Sequence, residues 1–251
     1  MKAIVGALTA WLVAAPALAQ DADDWDYAED SARQLSIAAV TFDSFGVAAR
    51  CMDGHFSLIL SGLPEGSGER TLWVRLRDRP ELEEPWVSEE GSGTLFSVWP
   101  RSSAAALSRG GPLSIRVPDG DQWRRYVVDL PRSEASVARV LAACGTGIAD
   151  LPVIEVVPED IETQGLAWLR RPDVSFPGGT PAFGLAAIRC EADAGGRLIN
   201  CTAESEFPVG SGFGRSAVLA AQRTGRVRAA DGATPDIAGR TLNFVVRYKV
   251  N

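Results

Sequence analysis

Ten residues separate Cys190 from Cys201, and Gly195-Gly196 stands midway between them in "RCEADAGGRLINC". If the two glycines form the centre of a tight turn, Cys190 and Cys201 face each other across it. Glycine supplies the positive φ angles that two-residue hairpins need. Facing strand residues have Cα atoms roughly 4.5 to 5.5 Å apart, within disulfide range. This register places Ile188, Cys190, Ala192, Ile199, Cys201 and Ala203 on one face, and Arg189, Glu191, Asn200, Thr202 and Glu204 on the other. A sulfur staple on the buried face of a hairpin is therefore expected.

The remaining cysteines, Cys51 and Cys144, then pair by default. The chain has a single histidine and no C-x-x-C, so zinc is disfavoured and no metal site is expected. A disulfide between Cys51 and Cys144 would join an early strand to a late helix, contributing up to ~4 to 5 kcal/mol on chain entropy. Paired cysteines suit export, and the amino end agrees. Lys2 is followed by an uncharged stretch, Ala3 to Leu18, and by Ala17-Leu18-Ala19, the small-x-small form of a cleavage site. Residues 1–19 are read as a signal peptide cut before Gln20, so the protein is expected in the periplasm. Membrane association is expected only if that segment is retained.

Charge divides the chain in two. From Gln20 to Trp168 there are 13 Arg against 25 acids, a net of -12; from Leu169 there are 10 Arg and one Lys against 7 acids, a net of +4. Two modules fit this asymmetry. Export and the total charge of -7 argue against nucleic acid as partner. The first module, 20–148, reads as β-rich. Short apolar or alternating runs at 35–42, 46–52, 55–62, 71–77, 94–100, 113–118 and 123–130 are punctuated by Asp53-Gly54, Gly66-Ser67-Gly68 and Asp119-Gly120. A sandwich or partly open barrel is expected, closed by a helix through "EASVARVLAAC". Residues 149–168 are read as a linker. In the second module, 169–251, Phe213 to Thr224 has helical spacing and stops at Gly225, and Thr241 to Val250 alternates as a final strand.

The second module resembles the C-terminal domain of TonB-type energy transducers over residues 172–251. "RPDVSFP" is similar to the family's entry segment, "GLAAIRCEADAGGRLINCTAESEFP" to its first two strands, "GFGRSAVLAA" to its helix, and "GRTLNFVVRY" to its last strand. The paired cysteines with "GFG", after a β-rich module ending in Cys144-Gly145, resemble an alphaproteobacterial branch of that family. The fold expected is α+β: an N-terminal β-rich sandwich or barrel-like domain with a closing helix, then a small ββαβ domain. The resemblance implies protein binding by β-augmentation, in which the plug segment of an outer-membrane TonB-dependent transporter adds as a strand to an exposed sheet edge. The candidate edge is the last strand, with Thr241, Asn243, Val245, Arg247 and Lys249 as contacts.

Catalytic signals are weak. "GSGFG" is not a nucleophile elbow, because no strand runs into it. The phosphate-loop and dinucleotide patterns are absent, so no cofactor and no enzyme activity are expected. Two alternatives stay open. One is a small-molecule or glycan-binding envelope protein acting through the first module, where Trp73, Trp86, Trp99 and Trp123 could form a platform. The other is a hydrolase using Glu83, Glu84, Glu89 and Glu90, although their setting around Pro85 reads as a solvated acidic loop. Amino-terminal sequencing of the secreted protein is expected to start at Gln20; a retained Met1 would overturn the cleavage reading.

Overall fold

The computed structural model describes residues 24–148, 151, 159–178, 181, 183–232 and 237–249. The signal segment, linker residues 149–150 and 152–158, and Val250 lie outside the described residues. The first unit contains β1 (Asp26–Asp30), β2 (Leu35–Phe42), β3 (Phe45–Met52), β4 (His55–Ser61), β5 (Gly66–Leu76), β6 (Leu82–Ser92), β7 (Leu95–Ser97), α1 (Pro100–Leu107), β8 (Gly111–Asp119), β9 (Gln122–Leu130) and α2 (Glu134–Ala143). The second contains β10 (Leu166–Arg170), β11 (Phe183–Ala192), β12 (Leu198–Phe207), α3 (Phe213–Thr224), β13 (Arg226–Ala229) and β14 (Thr241–Lys249).

Nine strands form one antiparallel sheet in the order β1-β2-β3-β4-β7-β6-β5-β8-β9. The sheet curls until its ends approach. Phe45 of β3 meets Tyr126 of β9 with ring centroids 5.6 Å apart, and Trp25 Nε1, just before β1, donates to the Pro131 carbonyl at 3.0 Å. Inside lie Leu58, Leu60, Leu72, Leu113 and Ile115, all essentially inaccessible. Helix α2 packs on β2 and β3. The Cys51 to Cys144 disulfide ties β3 to the end of that helix, with Cα atoms 5.7 Å apart.

The α+β expectation is overturned: among the described residues the fold is mainly β, fourteen strands against three α-helices. The ββαβ expectation fails with it. The second unit holds a three-stranded sheet, β12-β11-β14, and a separate two-stranded pair, β10-β13. Two physical causes account for the miss. Segments β10 and β13 are too short to show periodicity, and they form only because they pair with each other. Strand β6 is disguised by Pro85 and four glutamates. It is held by Trp86 and Val87, both buried, on opposite faces. Pro85 is tolerated because its carbonyl still accepts from Val98 N and only one ladder bond is lost.

The β11-β12 hairpin carries the expected staple, Cys190 to Cys201, with Cα atoms 4.1 Å apart. Its turn differs from the two-residue form. Asp193 N donates to the Arg197 carbonyl at 2.9 Å, leaving residues 194–196 as the loop, and only Gly196 has a positive φ, 76°. Asp193 Oδ1 accepts from Gly195 N and Arg197 N, both at 2.8 Å, which fixes the turn. The register near the turn pairs Glu191 with Ile199, and beyond it Arg189 with Thr202. A bulge at Asn200, φ 48°, absorbs the extra residue and brings the cysteines face to face. It also exchanges neighbours: Leu198 is buried at 1% exposure, whereas Ile199, expected inside, is 38% exposed.

Helix α3 covers one face of this sheet with Phe213, Ala217, Ala220 and Ala221. Phe213 lies against Tyr248 with centroids 4.4 Å apart, and Phe176 meets both rings edge-on. The Phe213 ring occupies the space that a Cβ on Gly184 would need. Gly184→Ala is therefore expected to displace the ring and lower stability by roughly 1 to 3 kcal/mol in urea unfolding; an unchanged midpoint would contradict this packing.

Candidate partner-binding edge

Strand β14 is an outer strand of its sheet, paired on one side with β11. The direction of its free backbone groups follows from one contact. Gln164, in the turn that leads to β10, reaches the outer side of β14 and donates from Nε2 to the Asn243 carbonyl at 2.8 Å. Its Oε1 accepts from Asn243 N, also at 2.8 Å. The Gln164 amide thus imitates a strand residue and caps the edge at that point. Since both polar groups of Asn243 face outward, alternation turns those of Thr241, Val245, Arg247 and Lys249 outward too, while Leu242, Phe244, Val246 and Tyr248 bond to β11. Among the described residues none pairs with the outward backbone of Val245 or Arg247.

A groove of about 320 Å³ runs beside this free stretch. Its floor includes Phe244 to Arg247, one wall is Glu159 to Glu162, and the other holds Trp168, Pro172 and Val174 together with Arg171. Trp168 stands edge-on to Phe244 at 5.3 Å, which fixes the apolar wall. The acidic wall is held by Glu159, whose Oε1 accepts from Trp99 Nε1 and whose Oε2 accepts from Arg247, both at 3.0 Å.

The side chains of the five candidate residues divide into two groups. Thr241 and Lys249 are exposed. Asn243 is buried at 6% exposure and its Oδ1 accepts from Arg189 Nε at 3.2 Å. Val245 packs into an apolar seam between the units, formed with Val87, Val98, Phe96, Leu185 and Phe207. Arg247 crosses the same seam, donating from Nε to Glu69 of β5 at 2.7 Å and from Nη2 to both Glu69 and Glu159. The hydrogen bonding to Glu69 holds the Arg247 pKa above the ordinary arginine value against the opposing effect of burial. Arg247, although 39% exposed, is thus engaged by Glu69 and Glu159, and this strand offers its outer backbone and groove rather than that guanidinium.

Sequence reasoning missed Gln164, Trp168 and Glu69. Gln164 and Trp168 fall in the stretch read as linker, and nothing local in "IETQGLAW" signals that a side chain there will act as a strand residue. All four cysteines are in disulfides, which fits an oxidising compartment. Among the described residues no helix is long and apolar enough to cross a membrane. The glutamates of the hydrolase alternative lie along β6. Glu83 and Glu84 are neighbours on a strand and point to opposite faces, and Glu89 is about 20 Å of strand away from Glu83. No family model matches this chain, and no curated protein or solved structure matches it.

The apolar seam predicts how the two units are held. Glu69→Ala breaks a pair whose arginine is 39% exposed, so it is expected to cost about 1 kcal/mol or less and to matter less in high salt. Phe207→Ala removes a ring of 8% exposure from the seam and is expected to cost about 3 kcal/mol. Urea unfolding of the two variants with and without salt checks the order.

Proposed function

We propose that this is an exported envelope protein, resident in the periplasm, whose second unit binds an extended segment of a partner protein along the β14 edge. One observation carries the reading: the outward backbone of Val245 and Arg247 borders a groove with an apolar and an acidic wall. Unpaired N–H and C=O groups in a row attract an added strand, and a flanking groove gives alternate side chains of that strand somewhere to go. The Gln164 cap sets one end of the binding stretch, because a strand cannot pair past Asn243 while the amide occupies it.

The partner expected from the resemblance to energy transducers is the plug segment of an outer-membrane TonB-dependent transporter. The acidic wall formed by Glu159, Asp160 and Glu162 favours a segment carrying Lys or Arg on one face. No catalytic side chain is required, since main-chain hydrogen bonds provide affinity and the groove provides selectivity.

The edge can be blocked without breaking the fold. Proline is accommodated where a strand's N–H faces away from the ladder, so Val245→Pro is expected to leave the protein folded, within about 2 kcal/mol of the parent, while removing an outward donor. Val246→Pro removes a bond to β11 and is expected to destabilise the second unit. In a pulldown from solubilised outer membranes, the parent chain is expected to retain a transporter that Val245→Pro does not. Recovery of no transporter by the parent, or equal recovery by a folded Val245→Pro, would sink the proposal.

A further inference from the structure

The outer face of the nine-stranded sheet carries a cation where the second unit covers it. Arg50 of β3 sits beside Ser57 of β4 in the ladder, on the face opposite to Ala49 and Cys51, which belong to the core. Strands β11 and β12 and the residues after them close over this face and leave a pocket of about 270 Å³. Its lining is mixed, with Val87, Phe96, Leu185, Phe207 and Pro208 on an apolar side and Ser57, Ser97 and Ser205 among the polar groups. Exposed Val209 and Glu89 stand at its rim.

Arg50 is not satisfied by the protein. Its Nε is withdrawn from solvent and has no hydrogen-bond partner. The guanidinium carbon lies 5.9 Å from the centroid of the Phe96 ring. Among the described residues no carboxylate forms an ion pair with it. Burial lowers its pKa from the ordinary arginine value, yet a guanidinium stays charged at any physiological pH. The rest of the side chain is only partly buried, so its terminal nitrogens are open to a ligand in the pocket, and a carboxylate there forms a charge-assisted pair that no described residue supplies. The other charges of the pocket limit what that ligand can be. Glu206 accepts from Gly214 N at 2.7 Å but keeps its negative charge, and with Glu89 at the rim it repels a second negative charge on the ligand.

We propose that this pocket binds a small monocarboxylate with an apolar body, its carboxylate on Arg50 and its body against Phe96 and Phe207. The size agrees, since an apolar cavity of about 150 Å³ accepts benzene, and the space here leaves room for a ring and a carboxylate. The geometry of a planar fork meeting a carboxylate explains why arginine rather than lysine suits the position. This site is separate from the β14 edge, and neither depends on the other.

The test uses the whole mature chain and four probes: benzoate, phenylacetate, hexanoate and the neutral benzamide. In NMR titrations at least one carboxylate is expected to shift the Arg50 side-chain N–H and the Phe96 and Phe207 ring signals. Benzamide should bind at least tenfold more weakly than benzoate. Arg50→Met, which replaces an unsatisfied cation with an apolar chain, is expected to stay folded and lose the preference for the acid. Val209→Trp, at a position 49% exposed, is expected to weaken binding by obstructing the mouth, and it serves if Arg50→Met fails to fold. No response to any of the three acids, equal binding of benzoate and benzamide, or undiminished binding by a folded Arg50→Met would overturn the proposal.

Discussion

Strand β11 is buried on both faces, and the rest of the second unit is arranged around that fact. Ala186, Ile188 and Cys190 turn toward α3, while Leu185 and Ala187 turn toward the first unit. A strand covered on both sides must be apolar at consecutive positions, which "GLAAI" is. It must also lie in the middle of its sheet, and β12 and β14 flank it. Gly184 makes room on one side for the Phe213 ring, and the staple at Cys190 secures the other end of the strand.

The seam between the units has an apolar centre and a polar rim. Phe96, Val98 and Trp99 of the first unit meet Leu185, Ala187 and Phe207 of the second. Around them Arg101 donates to the Glu204 carbonyl at 3.0 Å, Ser205 donates to the Val98 carbonyl at 2.6 Å, and Arg247 reaches Glu69. The charged contacts run in both senses, Arg101 of the first unit to Glu204 of the second and Arg247 of the second to Glu69 of the first, while apolar groups supply the burial. It also bears on binding. By drawing Asn243, Val245 and Arg247 inward, the seam leaves β14 to present its backbone and the adjoining groove on the other side.

Much of this was legible in the residues and some was not. Helix α3 runs from Phe213 to Thr224 as its spacing and Gly225 imply, and both disulfides connect the expected cysteines. The staple of the hairpin is legible in its residues, but the form of its turn is not. A tight Gly-Gly turn and a longer loop compensated by a bulge at Asn200 bring the same cysteines together, and local pattern does not separate them. Strand β6 is hidden because its glutamates and proline break the apolar alternation, while its status as a strand depends on β5 and β7. The edge strand was legible as a strand, but the direction of its side chains was not. Alternation distinguishes two faces without saying that a second unit will cover the polar one.

By itself the sequence determined the quantities that depend on near neighbours along the chain: the cysteine partners around a glycine turn, the helix with its apolar stripe, the short alternating runs, and the basic start followed by a small-residue cleavage pattern. Tertiary structure alone decided which of these surfaces face each other. The Gln164 cap on Asn243 and the unpaired Arg50 beneath the seam both arise where distant segments meet. Hydrogen-bond satisfaction and burial are properties of such meetings in space, and no periodicity along a chain records them.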